Sequence, residues 1–302
     1  MAEQIKINFL GTGSAVPTAR RNHPAVLLTY KDENILFDCG EGTQKQFRLA
    51  QLNPCKLTRI FITHWHGDHI FGLPGILQTL MMNNYSGTLK IYGPKGTNHF
   101  MDIYKRMYLS KADAIKIETK ELSGKETIEE KEFKIECAEM THDAPCLAYS
   151  FTIKEKNRLD KKKLSKLKLP GNSPLIGELV KGKTIEFEGK KIDGKKLVYS
   201  EPQRKIVYAT DTKLNDNLIK IAEKSNILIS EATYSGEEEE LANEYLHMTC
   251  VQAANIAKKA KCEQLYLIHL SQRYDNPKYI LEEAKKVFKN TKVPEDLDSL
   301  KL

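Results

Sequence analysis

Residues 64–69 carry three imidazoles and one carboxylate within a single short segment. The side chains that could bind a metal are His64, His66, Asp68 and His69. The apolar run at 59–63, which comes directly before them, is β-branched and aromatic and predicts a short buried strand. In an extended chain the first two histidines point to the same side, and Gly67 lets the chain turn so that the last two side chains face the same spot. Nitrogen and carboxylate donors suit zinc, and four of them exceed what one tetrahedral zinc with an open position would use. The pattern therefore predicts a dinuclear metal site.

Three more donors follow predicted strands elsewhere in the chain. His142 comes after a strand at 133–138, Asp211 after one at 205–209, and His269 at the end of one at 264–270. A sheet edge typically assembles a metal site from strand ends that are distant in sequence. A carboxylate can bridge two cations, and two cations about 3.5–4 Å apart stabilise both oxygens of a displacement at phosphorus. These residues complete a candidate two-metal hydrolytic site.

Strands and helices alternate in both halves of the chain around one insertion at 154–196. Strands are predicted at 5–10, 25–30, 34–37, 59–63, 88–92, 133–138, 205–209, 227–230 and 264–270, and helices at 42–52, 73–82, 98–108, 215–224, 248–261 and 277–290.

The insertion has 14 Lys and Arg against 6 Asp and Glu, so it accounts for the net charge of +7. Its lysine run, glycines and prolines predict a projecting arm without a compact core. A basic arm favours a polyanionic partner, either nucleic acid or an anionic membrane surface; the alternative is a solvated lysine-rich loop.

Length and composition limit the class of protein. A chain of 302 residues that is 40% hydrophobic can bury a large core, which favours one domain over 1–302 with an appendage. No apolar stretch has the length of a membrane span, and the N-terminus lacks a signal-peptide pattern. Six cysteines without a Cys-x-x-Cys pair are typical of reduced thiols. We therefore expect a cytoplasmic protein that is not embedded in a membrane.

The pattern His-x-His-x-Asp-His, followed by a later His, Asp and His, resembles the metallo-β-lactamase superfamily. More specific segments resemble the ribonuclease Z family of tRNA 3′-processing endonucleases, in its short form. These segments lie at 9–13, 37–44, 230–233, 247–249 and 269–274, and the resemblance runs from residue 5 to about residue 290. It implies an α/β fold of the metallo-β-lactamase type, a four-layer αββα sandwich with the arm as an inserted basic exosite. It also implies a homodimer whose substrate is precursor tRNA.

The resemblance also assigns roles to individual residues. One zinc would be held by His64, His66 and His142, and the second by Asp68, His69 and His269, with Asp211 as the bridge; Mn²⁺ or Fe²⁺ could replace Zn²⁺. A zinc-bound hydroxide would attack the phosphate, and Asp68 would deprotonate or orient that water. His247 would protonate the leaving 3′ oxygen, with Glu231 holding its ring. Cleavage after the discriminator nucleotide would leave a 3′ hydroxyl.

Substrate contacts are expected at the site and at the arm. The planar fork of Arg273 suits a phosphate. In the family, the loop after the first glycine turn often has a lysine where this chain has Ala19, although basic residues follow it. The contacts expected in this loop are Arg20, Arg21 and Asn22. The contacts expected in the arm, which would grip the tRNA elbow, are Lys161, Lys162, Lys163, Gly171 and Pro174.

Two other functions fit parts of the sequence. The first is a hydrolase of small thioesters, lactones or phosphodiesters, which has no evident need for a basic arm of this length. The second is a non-enzymatic protein that binds nucleic acid or a membrane surface and keeps its metals for stability. A purely structural zinc needs no open coordination position, so a ligand set of this kind argues against the second alternative.

Overall fold

The computed structural model describes residues 3–109, 115–165, 167, 169, 173–274 and 276–302. The first of its two large sheets comes from the N-terminal half and the last strand of the chain. Its strands are β1 (Ile5–Gly11), β2 (Ala25–Tyr30), β3 (Glu33–Phe37), β4 (Arg59–Phe61), β5 (Thr88–Gly93), β6 (Lys116–Glu121) and β18 (Ser299–Lys301). In space β18 lies at the edge beside β1, and the others follow in chain order. From β3 to β6 neighbouring strands are parallel, so their carboxyl ends share one edge.

The second sheet comes from the rest of the chain. Its strands are β7 (Thr127–Glu129), β8 (Phe133–Met140), β9 (Cys146–Ile153), β14 (Arg204–Ala209), β15 (Ile227–Glu231), β16 (Gln264–Ile268) and β17 (Thr291–Lys292). The last four strands run parallel to one another, whereas β9 pairs antiparallel with β14. The carboxyl ends of β14, β15 and β16 therefore meet at one edge, as the carboxyl ends of β4 and its neighbours do in the first sheet.

Helices cover the outer faces of both sheets. They are α1 (Thr43–Leu49), α2 (Gly67–Ile70), α3 (Leu73–Met82) and α4 (Thr97–Tyr108) on the first half, and α7 (Asp216–Ala222), α8 (Glu239–Glu244), α9 (Cys250–Lys259) and α10 (Lys278–Val287) on the second. α3 has the predicted bounds and buries four apolar residues at helical spacing. α1 is shorter than predicted, because the chain leaves the helix at Gln51, whose φ of 56° is left-handed.

Aromatic side chains fill the space between the two sheets. Phe37 of β3 stacks on Tyr208 of β14 with ring centroids 5.2 Å apart, and Phe61 of β4 meets Tyr149 of β9 edge-on at 5.0 Å. Separate apolar clusters join each sheet to its own helices. The order of layers is helix, sheet, sheet, helix, so the predicted four-layer αββα sandwich is confirmed.

The basic insertion has a core of its own. β10 (Lys156–Leu159) pairs antiparallel with β13 (Val198–Glu201), and β11 (Thr184–Phe187) pairs with β12 (Lys190–Asp193). Two short helices, α5 (Lys161–Ser165) and α6 (Leu175–Val180), complete it. Leu179, Ile185, Ile192 and Leu197 are buried together there.

The expectation that the arm lacks a compact core was therefore wrong. Three of these buried residues come from α6, β11 and β12, but each element is short and contributes only one of them, and 14 Lys and Arg dominate the composition of the segment. The stem strand β13 also reaches Glu201, five residues beyond the predicted end of the arm at 196. Gly171 and the side chain of Lys161 lie outside the described residues.

Candidate functional site

The histidine motif begins where β4 ends. His66 has an extended backbone and α2 begins at Gly67, so Asp68 and His69 occupy the first turn of a helix. A Cβ atom on Gly67 would lie 2.3 Å from the ring of Phe71, so any larger residue here would require this exposed side chain to move. The turn expected from the sequence is therefore present.

Seven side chains meet at the shared strand ends in two groups. His64, His66 and His142 form one, and Asp68, His69, Asp211 and His269 form the other; within each group the donor atoms lie within 4.8 Å of one another. All seven residues predicted as metal ligands are brought together, from β4, the turn after β8, and the ends of β14 and β16.

Asp211 lies between the two groups. Its Oδ1 is 3.3 Å from His69 Nε2 and 3.1 Å from His269 Nε2. Its Oδ2 is 3.6 Å from His64 Nε2 and 3.9 Å from His142 Nε2. Its φ of 44° is left-handed, as is that of His269 at 57°, and such strain is characteristic of functional sites. Each oxygen therefore faces a different group, which is the geometry of a bridging carboxylate.

The donor atoms fit divalent cations. Within the described part of the chain, His64 Nε2, His69 Nε2 and Asp211 Oδ1 are buried without a hydrogen-bond partner. Such atoms are costly to bury unless something binds them. The other ring nitrogen of each histidine is held: His69 Nδ1 donates to Asp38 at 2.8 Å, and His64 Nδ1 donates to Thr63 Oγ1 at 3.1 Å. This fixes the ring orientation with Nε2 directed inward, as in histidine metal sites.

Asp68, Asp211 and His64 are held in the ionisation states that bind metal. Burial raises the pKa of Asp68 and Asp211, but neighbouring histidines outweigh it and hold both pKa values below their usual range. Burial, together with the nearby His69, holds the pKa of His64 well below its usual value. Ionised carboxylates and a neutral His64 are in the forms that bind metal. The pKa of His69, by contrast, lies well above its usual value, because burial, which lowers it, is outweighed by the carboxylates of Asp211, Asp68 and Asp38. His69 would therefore release a proton when it binds a cation.

His247 and Glu231 form a pair beside the second group. His247 Nδ1 lies 3.1 Å from Glu231 Oε1, and the fully buried carboxylate also accepts from the backbone N–H of Thr212 at 2.6 Å. Burial alone would lower the pKa of His247, but the Glu231 carboxylate raises it to about 9. His247 is thus a protonated imidazolium at neutral pH, and the predicted pairing with Glu231 is present.

Two residues that position the ligands were missed in the sequence. Asp38, after β3, accepts hydrogen bonds from the Thr63 backbone N–H at 2.8 Å, from His69 Nδ1 at 2.8 Å and from the Tyr208 hydroxyl at 3.0 Å. Thr233 Oγ1 lies 2.8 Å from His269 Nδ1 and donates to Glu231 at 2.7 Å. Both lie in segments that served only to mark the resemblance, and a carboxylate at the end of a buried strand was the signal for Asp38.

A cavity of about 340 Å³ opens onto these groups. Ser14, Ala15 and Val16 form one wall of it, and Arg273 lies at its rim. The Arg273 side chain is 52% exposed, and its guanidinium lies 5.7 Å from the ring centre of Tyr234. Arg273 is therefore close to the metal groups and accessible, as expected of a phosphate contact.

The loop at 17–22 only partly matches expectation. Arg20 is exposed. Arg21 is 4% exposed, and its guanidinium donates to Thr12 Oγ1, the Pro294 carbonyl and Glu295. The prediction that Arg21 contacts substrate is therefore wrong, because its guanidinium is buried and hydrogen-bonded within the protein. Asn22 is half-buried, and its side-chain amide donates to the Glu41 carbonyl at 2.5 Å.

In the arm, Lys162, Lys163 and Pro174 are exposed. Of the arm residues that the structure describes, none lines the cavity. Any contact they make with a substrate would therefore be distant from the metal groups. Among the described helices, none has the length and apolar character to cross a bilayer.

Comparison with known proteins agrees with this geometry. A family model described as Anti-Pycsar protein Apyc1 matches residues 5–160. Ribonuclease Z of Methanothermobacter thermautotrophicus is 39% identical over 97% of this chain and 95% of its own length. The crystal structure of human tRNase Z, short form, has a TM-score of 0.70 and 25% identity, covering 98% of both chains. The metallo-β-lactamase fold protein YhfI from Bacillus subtilis has a TM-score of 0.72 at 18% identity, covering 99% of this chain and 100% of its own, which confirms the fold.

Asp38→Ala should weaken metal binding without removing a ligand. The substitution leaves His69 Nδ1 and the Thr63 backbone N–H without their acceptor, and loss of such a partner typically costs 10–100-fold in metal affinity. Zinc affinity measured against a competing chelator tests this. Glu33→Ala is the control, because Glu33 pairs with Arg59 at the opposite end of β3. Equal zinc affinity in Asp38→Ala and wild type would contradict the role given to Asp38.

Proposed function

The chain belongs to the ribonuclease Z family, and over residues 5–160 to the family described as Anti-Pycsar protein Apyc1; we propose that it is an endoribonuclease that removes 3′ trailers from precursor tRNA. The observation that carries this proposal is that two groups of candidate metal ligands and the hydrogen-bonded His247–Glu231 pair meet at one cavity, in a chain similar to ribonuclease Z over nearly its full length. The proposed cut lies after the discriminator nucleotide and leaves a 3′ hydroxyl.

We propose that the site holds two zinc ions, for which Mn²⁺ or Fe²⁺ can substitute. His64, His66 and His142 would hold one, Asp68, His69 and His269 the other, and Asp211 would bridge them. When bound, such cations would supply a nucleophile at neutral pH and would neutralise charge on the attacked phosphate. The buried, unpartnered donor atoms of His64, His69 and Asp211 support this assignment.

The protein's own groups would handle the protons. The Asp68 carboxylate, which lines the cavity with its Oδ2 3.3 Å from His69 Nε2, would deprotonate or orient the attacking water. His247 would give a proton to the leaving 3′ oxygen. Because its Nδ1 is held by Glu231, Nε2 is the nitrogen left for the substrate. General acid–base assistance of this kind is typically worth 10²–10⁴-fold in rate.

Arg273 and the arm would bind the RNA. The Arg273 guanidinium lies 5.7 Å from the ring centre of Tyr234 and 3.5 Å from Glu238, and Arg273 lines the cavity, where it would bind a phosphate. The arm presents Lys162 and Lys163 to solvent on a folded scaffold, and lysines bind phosphates independently of sequence.

Charge reversal at these two lysines should weaken binding of precursor tRNA and reduce its salt dependence by about one to two counterions. Hydrolysis of a small phosphodiester, which cannot reach the arm, is the control.

We propose that the enzyme is a homodimer in the cytoplasm. Phe100, Ile103, Met107 and Tyr108 are exposed at i, i+3, i+7 and i+8 of α4, and this apolar stripe is a surface that a second copy would cover. All six cysteines are free thiols, in keeping with a reducing compartment. Sedimentation of Ile103→Glu against wild type tests the dimer, which this charge should dissociate.

Mapping of the cut tests the function directly. Purified protein and zinc are incubated with a precursor tRNA that carries a 3′ trailer, and both product ends are sequenced. We expect one cut after the discriminator nucleotide, with a 3′ hydroxyl on the tRNA and a 5′ phosphate on the trailer. His66→Ala, which removes one ligand, is the matched inactive control. If the protein hydrolysed small phosphodiesters but left the precursor tRNA uncut, the proposal would be refuted and a small-molecule hydrolase would be favoured.

Glu231→Gln should shift the pH dependence of cleavage. His247 must be protonated to act as an acid, so activity is lost as pH rises through its pKa. Without the negative charge of Glu231, burial lowers that pKa from about 9, and the alkaline limb of kcat/KM moves to lower pH. Single-turnover rates at a series of pH values test this. In His247→Ala the same limb should be absent; an unchanged limb in both variants would remove the pair from the mechanism.

A further inference from the structure

The C-terminal segment 294–298 is hydrogen-bonded to the loop at 13–22, which lines part of the cavity beside the two groups of candidate metal ligands. Asp296 accepts three hydrogen bonds from three parts of the first half of the chain. Oδ1 accepts from Thr12 Oγ1 at 2.8 Å, and Oδ2 accepts from the Asn22 backbone N–H at 2.7 Å and from Gln46 Nε2 at 2.8 Å. None of these donors lies nearer than 250 residues in sequence. One carboxylate thus connects the segment at 294–298 to three separate parts of the first half of the chain.

Asp296 is hydrogen-bonded to residues at both ends of this loop. The loop begins directly after Thr12 and ends at Asn22, and the Asn22 carbonyl accepts from the Gly13 N–H at 2.8 Å, which closes the base of the loop. Next to Asn22, the buried guanidinium of Arg21 reaches the same C-terminal segment, donating to the Pro294 carbonyl and to Glu295, each at 2.8 Å. Four contacts therefore tie segment 294–298 to the residues that open and close this loop.

The same loop lies directly against the metal groups. The Ser14 N–H donates to the Leu270 carbonyl at 3.2 Å, and the Leu270 N–H donates to the Thr12 carbonyl at 3.2 Å. Leu270 follows His269, one of the candidate ligands. Ala15 and Val16, at the start of the loop, are exposed and line the cavity. A shift of the base of the loop would therefore move one wall of the cavity and the exposed Arg20.

We propose that Asp296 is a positioning residue that holds the loop at 13–22 in the shape required to seat the RNA substrate beside the metals. This inference rests on the proposed function for the identity of the substrate, but the role in holding the loop does not. Asp296 touches no candidate ligand, so its loss should affect substrate seating rather than metal binding. Burial raises the pKa of Asp296 to about 6, so the carboxylate is ionised at neutral pH and can accept all three bonds.

Three variants separate positioning from general stability. Asp296→Ala removes every acceptor. Asp296→Asn keeps an oxygen for Asn22 and Gln46 and offers an amide N–H to the Thr12 hydroxyl, so it should rescue. Arg204→Ala is the matched control. The Arg204 guanidinium donates to the Leu302 carbonyl at 2.9 Å, so its loss should loosen residues beyond segment 294–298, away from the loop.

Steady-state cleavage of precursor tRNA by these variants tests the proposal. We expect Asp296→Ala to raise KM about tenfold with metal content unchanged, because small displacements of positioning elements are costly to substrate seating. Asp296→Asn and Arg204→Ala should stay within about threefold of wild type, as should hydrolysis of bis(p-nitrophenyl) phosphate by all three. An unchanged KM in Asp296→Ala, or an equal rise in Arg204→Ala, would overturn the proposal.

Limited trypsin digestion gives a reading that needs no RNA. In wild type the Arg21 guanidinium is buried, so cleavage after Arg21 should be slow. Asp296→Ala should speed that cleavage, and Asp296→Asn should not. If wild type failed to cut precursor tRNA, the proposed function would fail while this digestion still tested the loop. Equal digestion of wild type and Asp296→Ala would overturn the positioning role itself.

Discussion

The buried carboxylate of Asp38 is the interaction on which the geometry of the site depends. It lies at the end of β3, is fully buried, and has a left-handed φ of 53°. Carboxyl oxygens buried in such a place are tolerated only when they have hydrogen-bond partners. Here Thr63 of the first sheet and Tyr208 of the second both donate to it, so one carboxylate joins the two sheets across the core. The third donor is His69, a candidate metal ligand.

This arrangement explains how residues from both halves of the chain are held in register. β4 positions the histidine motif, and β14 and β16 position Asp211 and His269 from the opposite sheet. A displacement between the sheets would separate the two oxygens of Asp211 from His64 and His69, the two facing histidines that the first half of the chain contributes. Burial of aromatic and aliphatic side chains between the sheets stabilises their packing, while Asp38 fixes the alignment at the edge where the candidate ligands meet.

Much of the site could be predicted from sequence because its signals are local. The motif at 64–69 follows a β-branched run, and His142, Asp211 and His269 each follow a strand that is recognisable by itself. The role of Asp38 and the burial of Arg21 depend on contacts across the fold: Arg21 pairs with Glu295, 274 residues away. No local pattern shows that such a partner exists, and a basic residue in a polar loop otherwise indicates an exposed one. The core of the arm was missed for a related reason, since its leucines and isoleucines become adjacent only when β11, β12 and α6 pack together.

The central claim is that one carboxylate bridges two cations, and metal stoichiometry tests it most directly. Elemental analysis of zinc-loaded wild type should give two ions per chain, and Asp211→Ala should lose affinity at both positions, because its two oxygens face different histidine groups. His66→Ala should lose affinity mainly at one, since His66 belongs to one group only. One zinc per wild-type chain, or an Asp211→Ala protein that keeps both ions with wild-type affinity, would contradict the account.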